Sequence, residues 1–154
     1  MSTISIQVTA VLTGAFLSGA MMSLCFIAVP VLLDTATEAS QLLPQWARMY
    51  YYGHQIMPTI AVGTLLLYCY ISFRNKRSWR LFALAGVTTV SIAPFTWIFM
   101  VSTNDELFRL EASSKVMDVE IEQVKGLVVR WTWLHFMRSL LPLAGAVMGA
   151  LGIF

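Results

Sequence analysis

Four long apolar runs, separated by polar stretches, dominate the chain. They cover residues 4–33, 56–73, 81–101 and 127–153, and the first run contains no charged side chain. At a rise of about 1.5 Å per residue, a helix of ~20 residues crosses the hydrocarbon core of a bilayer. A spanning segment in lipid is helical because its backbone polar groups need internal partners. The pattern therefore predicts an all-α fold, an integral membrane four-helix bundle, as one domain over residues 1–154.

Two of the polar connections have amphipathic patterns of their own. Residues 44–53 place Trp46 and Tyr50 at helical spacing, and residues 113–125 repeat apolar side chains with the same period. The first segment also holds three consecutive tyrosines, which suit a membrane interface because the ring has one apolar and one polar end. We therefore expect two extra short amphipathic loop helices, with an aromatic belt as the alternative interpretation of the tyrosines.

The charges between the runs predict the orientation of the chain. The connection after the second run carries Arg74, Lys76, Arg77 and Arg80 and no acidic residue, whereas the connection after the third run has more acids than bases. Short basic loops remain in the cytoplasm. We therefore expect a multi-pass protein with cytoplasmic N- and C-termini and with its two long connections on the lumenal or extracellular side.

Composition supports the same class of protein. Hydrophobic residues make up 58% and charged residues 12% of the chain, about half the charged share of a typical soluble domain. The net charge of +2 is too small for a surface that follows nucleic-acid phosphates. These values exclude an ordinary soluble protein, a disordered segment and a nucleic-acid binder, and they favour membrane lipid as the surroundings.

Polar residues inside the apolar runs are candidates for function because each is costly to bury. Trp131, His135 and Arg138 are spaced i, i+4 and i+7, which places them on one face of the fourth helix. An arginine at the bilayer centre costs at least about 2.5–3.5 kcal/mol. We expect Arg138 to face the bundle and meet a polar ligand, with snorkelling or an ion pair as the structural alternatives. The neighbouring cation favours a neutral His135 that can accept a proton.

Further polar residues are predicted to lie in the same outer half of the bundle. A capping box at residues 103–106 is the structural alternative for the polar group on the third run. His54, His135 and Asp105 together would supply two imidazoles and a carboxylate to a metal. No two of these three are close in sequence, so we expect no bound metal. The residues predicted to converge on one pocket are Trp46, His54, Asn104, Asp105, His135 and Arg138.

Three segments of the chain resemble a known family. They are residues 46–50 (WARMY), 93–107 (APFTWIFMVSTNDEL) and 131–138 (WTWLHFMR). Their order is similar to that of the small four-helix membrane family that includes fungal anthrone oxygenases, over about residues 14–149. The resemblance implies a monooxygenase that oxidises an anthrone to an anthraquinone with O₂ in aromatic polyketide biosynthesis. It implies no flavin or haem, and the chain has no G-x-G-x-x-G dinucleotide motif.

The resemblance also implies roles for the candidate residues. His135, or alternatively His54, would be the base that removes a proton from the anthrone CH₂ group. Arg138 would stabilise the developing enolate oxygen, and Asn104 would orient the substrate phenol or the peroxide. The remaining predicted substrate contacts are Trp46, Tyr50, Thr96, Asp105, Trp131 and Trp133.

Two other classes of function are compatible with the sequence. One is a non-enzymatic four-span assembly protein, and the other is a lipid- or quinone-binding protein. The expected partners under the resemblance are a hydrophobic aromatic small molecule, O₂ and membrane lipid. Gly145 and Gly149 have the small-xxx-small spacing that allows close helix contact, so a homo-oligomer is a further expectation.

Overall fold

The computed structural model describes residues 3–114 and 117–154, and nearly all of them are helical. These described residues form no β-strand, so the all-α prediction is confirmed. The α-helices are α1 Thr3–Ser23, α2 Val29–Thr35, α3 Ala39–Arg74, α4 Trp79–Val90, α5 Ile92–Phe95, α6 Val101–Ser113 and α7 Ile121–Leu151, with π-helical turns at Leu24–Ala28 and Thr96–Met100.

Consecutive elements join into four helical rods that are long and apolar enough to cross a membrane. They are Ile4–Thr35, Ala39–Arg74, Trp79–Ser113 and Ile121–Leu151, which we call spans 1 to 4. Spans 1 and 3 each pack against spans 2 and 4, so the four rods close into a bundle. The predicted four-helix membrane bundle is thus confirmed.

The two predicted loop helices take a different form. Residues 44–53 are helical, but they belong to the uninterrupted α3 and lie in the N-terminal part of span 2. Residues 113–125 do not form one helix, because residues 117–120 are non-helical and α7 begins only at Ile121. Lys115 and Val116 lie outside the described residues. The physical reason is that the chain reverses direction here, whereas a helix through this segment would fuse span 3 to span 4.

Both π-helical turns lie close to a proline. Leu24–Ala28 precedes Pro30, and Thr96–Met100 follows Pro94. Proline has no N–H to donate and its ring displaces the preceding turn, which accounts for the widened turn before Pro30 and for the break between α4 and α5 before Pro94. Such widened turns are frequent at functional sites. The first residues of these two turns face one cavity between the spans.

The small residues of span 4 pack inside the monomer. A Cβ atom on Gly145 would lie 2.8 Å from the Ala85 carbonyl oxygen, and one on Gly149 would lie 2.7 Å from Cε1 of Tyr68. The Tyr68 hydroxyl also donates to the Gly145 carbonyl oxygen at 3.3 Å. This small-xxx-small motif therefore brings span 4 against spans 2 and 3 of the same chain, and it is not a free surface for a second copy.

Candidate active site

A cavity of about 240 Å³ lies between the spans, and each of the four contributes to its wall. Most of the wall is apolar, and a few polar side chains converge on it, which is the usual character of a small-molecule site. Six predicted site residues line the cavity: Tyr50, His54, Thr96, Trp131, His135 and Arg138. The other lining residues are Leu24, Met49, Gly53, Met57, Pro58, Ile92, Ala93 and Trp97.

The guanidinium of Arg138 is held on two sides by neutral groups. Its Nη1 donates to Oγ1 of Thr96 at 2.5 Å, and its Nη2 donates to Nδ1 of His135 at 2.8 Å. The Thr96 hydroxyl donates in turn to the Ile92 carbonyl oxygen at 2.8 Å, so it is an acceptor toward Arg138. These bonds fix the plane of the guanidinium. Its buried Nε has no hydrogen-bond partner among the described residues.

Arg138 also has no carboxylate partner anywhere in residues 3–114 and 117–154. The ion pairs recorded there, Glu106 with Arg109 and Glu122 with Lys125, join side chains one helical turn apart at the surface. The guanidinium points into the bundle toward Thr96 instead of out to the membrane boundary. Neither the ion-pair alternative nor the snorkelling alternative therefore describes Arg138. A cation in this setting is stabilised by any anion that enters the cavity.

His135 is enclosed next to Arg138 on span 4. It is 1% exposed, and its ring stacks on Trp131 with centroids 4.6 Å apart and an interplanar angle of 19°. The predicted common face of Trp131, His135 and Arg138 is confirmed by these contacts. Span 4 thus presents an aromatic ring, an imidazole and a cation in sequence along one side of the cavity.

His54 occupies a more open position on span 2. Its side chain is exposed, and its ring stacks on Tyr50 with centroids 5.6 Å apart and an interplanar angle of 13°. Its Nδ1 donates to the carbonyl oxygen of Tyr51 at 2.8 Å. The stacking and the hydrogen bond fix the ring, while the rest of its edge remains open.

Two predicted site residues are buried and do not line the cavity. Trp46 is fully buried, with its ring 5.5 Å from Tyr50 and 6.0 Å from Trp131, so it supports two cavity residues. Asn104 is 4% exposed, and its Oδ1 has no hydrogen-bond partner in the described part of the chain. The capping-box alternative does not explain Asn104, because α6 runs as a continuous helix through residues 103–106.

Two further predicted residues face outward. Asp105 is exposed on α6 and does not line the cavity. Trp133 is 63% exposed and lines a separate apolar groove of about 440 Å³ on the outside of the bundle, beside Phe136 and Cys25. Trp133 is two residues from Trp131, a separation that turns the side chain to another face of the helix.

Reasoning from polar residues did not predict the apolar residues of the cavity wall. Gly53 and Met57 share a face of span 2 with Tyr50 and His54, at spacings of i, i+3, i+4 and i+7. That periodicity was available in the sequence and would have predicted both residues. Leu24 likewise follows the buried Leu17 and Met21 at i+7 and i+3, so its place inside the bundle was also available from the periodicity of span 1.

The described residues do not assemble a metal site. Nowhere in this part of the chain do three His, Cys, Asp or Glu side chains come together. The set considered from sequence, His54, His135 and Asp105, is not formed because Asp105 lies on the exposed surface. The cavity groups are two imidazoles and a guanidinium, and the guanidinium carries only hydrogen-bond donors.

Known proteins that are similar to this chain are named as anthrone oxygenases, the family that the three sequence segments resemble. The family model described as anthrone oxygenase matches residues 46–148. An anthrone oxygenase of Paecilomyces divaricatus is 57% identical over 99% of this chain and 97% of its own length. An anthrone oxygenase of Cryptosporiopsis sp. is 49% identical over 97% of this chain and 89% of its own length.

A noranthrone monooxygenase of Aspergillus flavus is 45% identical over 96% of this chain and 72% of its own length. No solved structure is significantly similar to this chain. The matched residues 46–148 contain every polar residue of the cavity. The chain belongs to the anthrone oxygenase family.

Proposed function

We propose that this protein is an oxidoreductase of the monooxygenase type that oxidises an anthrone to an anthraquinone with O₂ in aromatic polyketide biosynthesis. The relatives named anthrone oxygenase and noranthrone monooxygenase support this reaction. A non-enzymatic assembly role and simple quinone binding are not favoured, because those relatives are named as enzymes. The apolar cavity with its buried polar cluster suits a flat substrate with one developing negative charge.

The chemistry requires one proton acceptor and one site for an anion. Loss of a proton from the CH₂ group gives an enolate, which passes one electron to O₂. The carbon radical and superoxide combine into a peroxide, and protonation gives a hydroperoxide. Loss of the second C–H proton and cleavage of the O–O bond give the quinone carbonyl and water. One oxygen atom thus enters the product and the other leaves as water.

The observation that carries the proposal is the unpaired guanidinium of Arg138. It is fixed by Thr96 and His135, which are both neutral, and no carboxylate of the described residues neutralises it. A fixed donor where charge develops in the transition state is the largest catalytic contribution in many enzymes. We place the ketone oxygen of the substrate at Arg138, where the enolate charge accumulates.

Aromatic side chains would hold the tricyclic substrate. Tyr50 and Trp131 line the cavity, and the buried ring of Trp46 packs against both of them. Offset stacking and edge contacts between aromatic rings contribute about 0.5–1.5 kcal/mol beyond the area they bury. A flat polyketide between these side chains would exclude water from the reacting carbon and leave space for O₂.

We further propose that the reaction requires no protein-bound cofactor. The electron-rich enolate can reduce O₂ by one electron without a metal or flavin. Turnover should therefore survive prolonged treatment with a chelator followed by assay in metal-free buffer. Loss of turnover that one added metal ion restores would contradict this part of the proposal.

The membrane would supply the apolar substrate and orient the protein. We propose that the basic connection around Arg74, Lys76, Arg77 and Arg80 is cytoplasmic, together with both termini. Single cysteines introduced in the connection at residues 75–78 and in that at residues 36–38 should then react with an impermeant thiol reagent from opposite sides of sealed vesicles.

Homo-oligomerisation stays a prediction, and it would require a surface other than that of Gly145 and Gly149.

The activity is tested with the purified full-length protein and emodin anthrone under ¹⁸O₂. We expect oxygen uptake equal to the anthrone consumed, with one labelled atom in the quinone and one in water. An oxidation rate no higher than that of buffer and empty detergent would overturn the proposal. Tight binding of the quinone without oxygen uptake would favour the binding-protein alternative.

A further inference from the structure

The two histidines of the cavity differ in which ring nitrogen is free. A guanidinium has only N–H donors, so Nδ1 of His135, 2.8 Å from Nη2 of Arg138, must accept a hydrogen bond. A neutral imidazole that accepts at Nδ1 carries its proton on Nε2. The buried Nε2 of His135 has no hydrogen-bond partner among the described residues. His135 therefore has no free lone pair for a substrate proton.

Protonation of His135 would also be costly. The Nδ1 atom would have to give up its bond to Arg138, and a second cation would form beside the first. The ring is 1% exposed and lies against Trp131, so water cannot solvate that charge. Both effects oppose a role for His135 as the base.

His54 has the opposite arrangement. A carbonyl oxygen only accepts hydrogen bonds, so Nδ1 of His54 donates its proton to the Tyr51 carbonyl oxygen, 2.8 Å away. The lone pair is then on Nε2. The side chain is exposed instead of enclosed in the bundle, and its ring is stacked on Tyr50. Three consecutive tyrosines of the kind found at a membrane interface precede it by two to four residues, so the imidazolium that forms would lie close to interfacial water.

We propose that His54 is the catalytic base and that His135 is a positioning residue, which orients the Arg138 guanidinium and keeps its own proton throughout the reaction. This inference rests on the proposed function. It reverses the order in which the resemblance ranks the two histidines.

The proton and electron transfers balance with His54 as the base. Nε2 takes a proton from the CH₂ carbon, and the C–H electron pair moves into the ring system to form the enolate at Arg138. O₂, the oxidant, takes one electron and then bonds to the carbon. The His54 imidazolium returns its proton to the peroxide. Nε2 then takes the second C–H proton while the O–O bond breaks, and the departing hydroxide receives that proton as water.

The test separates proton removal from the reaction with oxygen. Full-length protein in detergent is mixed with an anthrone in D₂O under nitrogen, and deuterium incorporation at the CH₂ carbon is followed by mass spectrometry. We expect His54→Gln to slow the enzyme-dependent exchange by about 10²–10⁴-fold, the range for a missing general base. Added imidazole should restore exchange to His54→Ala in a saturable manner, because the position is exposed.

A matched set of variants distinguishes the two histidines. His135→Gln has no basic nitrogen, and we expect it to keep exchange within about tenfold of the wild type and to lower kcat for oxygen uptake by a similar factor, because Arg138 loses part of its orientation. Gln55→Ala changes an exposed neighbour of His54 outside the cavity and should behave as the wild type. Quenching of tryptophan fluorescence by the anthraquinone product should show that His54→Gln keeps an intact cavity.

Three results would overturn the inference. One is a wild-type exchange rate in His54→Gln together with its loss in His135→Gln, since proton removal would then belong to His135. The other is a wild-type protein that shows neither exchange nor oxygen uptake, which would overturn the proposed function and this inference with it. Wild-type oxygen uptake that is unchanged in His54→Gln would overturn the inference alone and leave the proposed function standing.

Discussion

Thr96 accepts a hydrogen bond from Arg138 across the contact between spans 3 and 4, at 2.5 Å. Thr96 is also the first residue of the π-helical turn Thr96–Met100, and its hydroxyl donates to the carbonyl oxygen of Ile92 one turn earlier. Because that donor is already used, the oxygen presents a lone pair to the guanidinium. An irregular turn of span 3 thereby orients the only cation of the cavity among the described residues.

Replacement of Thr96 by valine tests this coupling. Valine keeps the branched shape and removes the acceptor, so Nη1 of Arg138 loses its partner. Hydrogen bonds to charged groups contribute about 1.5–3 kcal/mol, and we expect kcat/KM for the anthrone to fall at least ~tenfold. Oxygen uptake under steady-state conditions measures the effect.

Two control variants accompany Thr96→Val. Thr96→Ser keeps the hydroxyl and should retain most of the activity. Thr59→Val removes a similar threonine bond to the carbonyl four residues earlier, on an exposed part of span 2, and should leave activity unchanged. Equal activity of the serine and valine variants at Thr96 would show that the contact with Arg138 has no part in turnover.

Removal of the guanidinium itself should have a larger effect. Arg138→Met keeps an unbranched stem similar to the aliphatic part of arginine but leaves the enolate oxygen without a charged donor, and we expect kcat to fall by about 10²–10³. Arg138→Lys keeps the charge but cannot reproduce the planar fork that reaches Thr96 and His135 together, so its activity should be intermediate. Oxygen uptake and quinone formation provide the measurement.

Arg130→Met is the matched control for Arg138→Met. Arg130 lies on the same helix and is exposed, outside the cavity, so its loss should not change turnover. Thermal unfolding in detergent should show that both variants are folded. Full activity of a folded Arg138→Met protein would leave the cavity without its anion site and would remove the main support for the mechanism.

The sequence predicted the spans and the strip along span 4 because both depend on local periodicity. Trp131, His135 and Arg138 share a face at helical spacing in any straight helix, and the structure has them in contact. Residues 113–125 also have a helical period, but the chain reverses direction there, which is a property of the bundle as a whole. Local pattern alone does not contain that information.

Contacts between spans were beyond the reach of the sequence. The pairing of Thr96 with Arg138 depends on how spans 3 and 4 are rotated against each other, and no spacing rule predicts that rotation. The exclusion of Asp105 and Trp133 from the cavity has the same origin, since the rotation of each helix is set by packing. The proposed roles of the two histidines depend on their hydrogen-bond partners in the folded protein, which no sequence pattern indicates.

Trp46 and Trp133 should respond differently to truncation. Trp46 is fully buried between Tyr50 and Trp131, so Trp46→Ala leaves a large void and should cost about 3–5 kcal/mol of stability. Trp133 is 63% exposed, and Trp133→Ala should keep both folding and turnover. Thermal unfolding and oxygen uptake measure the two effects. A strong loss of activity in a stable Trp133→Ala protein would show that Trp133 is part of the substrate site.

Alanine at Gly149 tests the close approach of span 4 to span 2. The added methyl group would meet the Tyr68 ring at 2.7 Å, and forced overpacking of this kind costs about 1–3 kcal/mol. We expect the Tm in detergent to fall by about 2–10 °C, from the usual relation between stability and Tm for a chain of this size. Gly63→Ala adds the same methyl group where no atom lies within 4 Å, so its Tm should be unchanged or slightly higher because alanine favours the helix. If instead Gly149→Ala kept its Tm but altered the size of the detergent complex, the glycine face would be a contact between copies, and the packing of span 4 within one chain would be wrong.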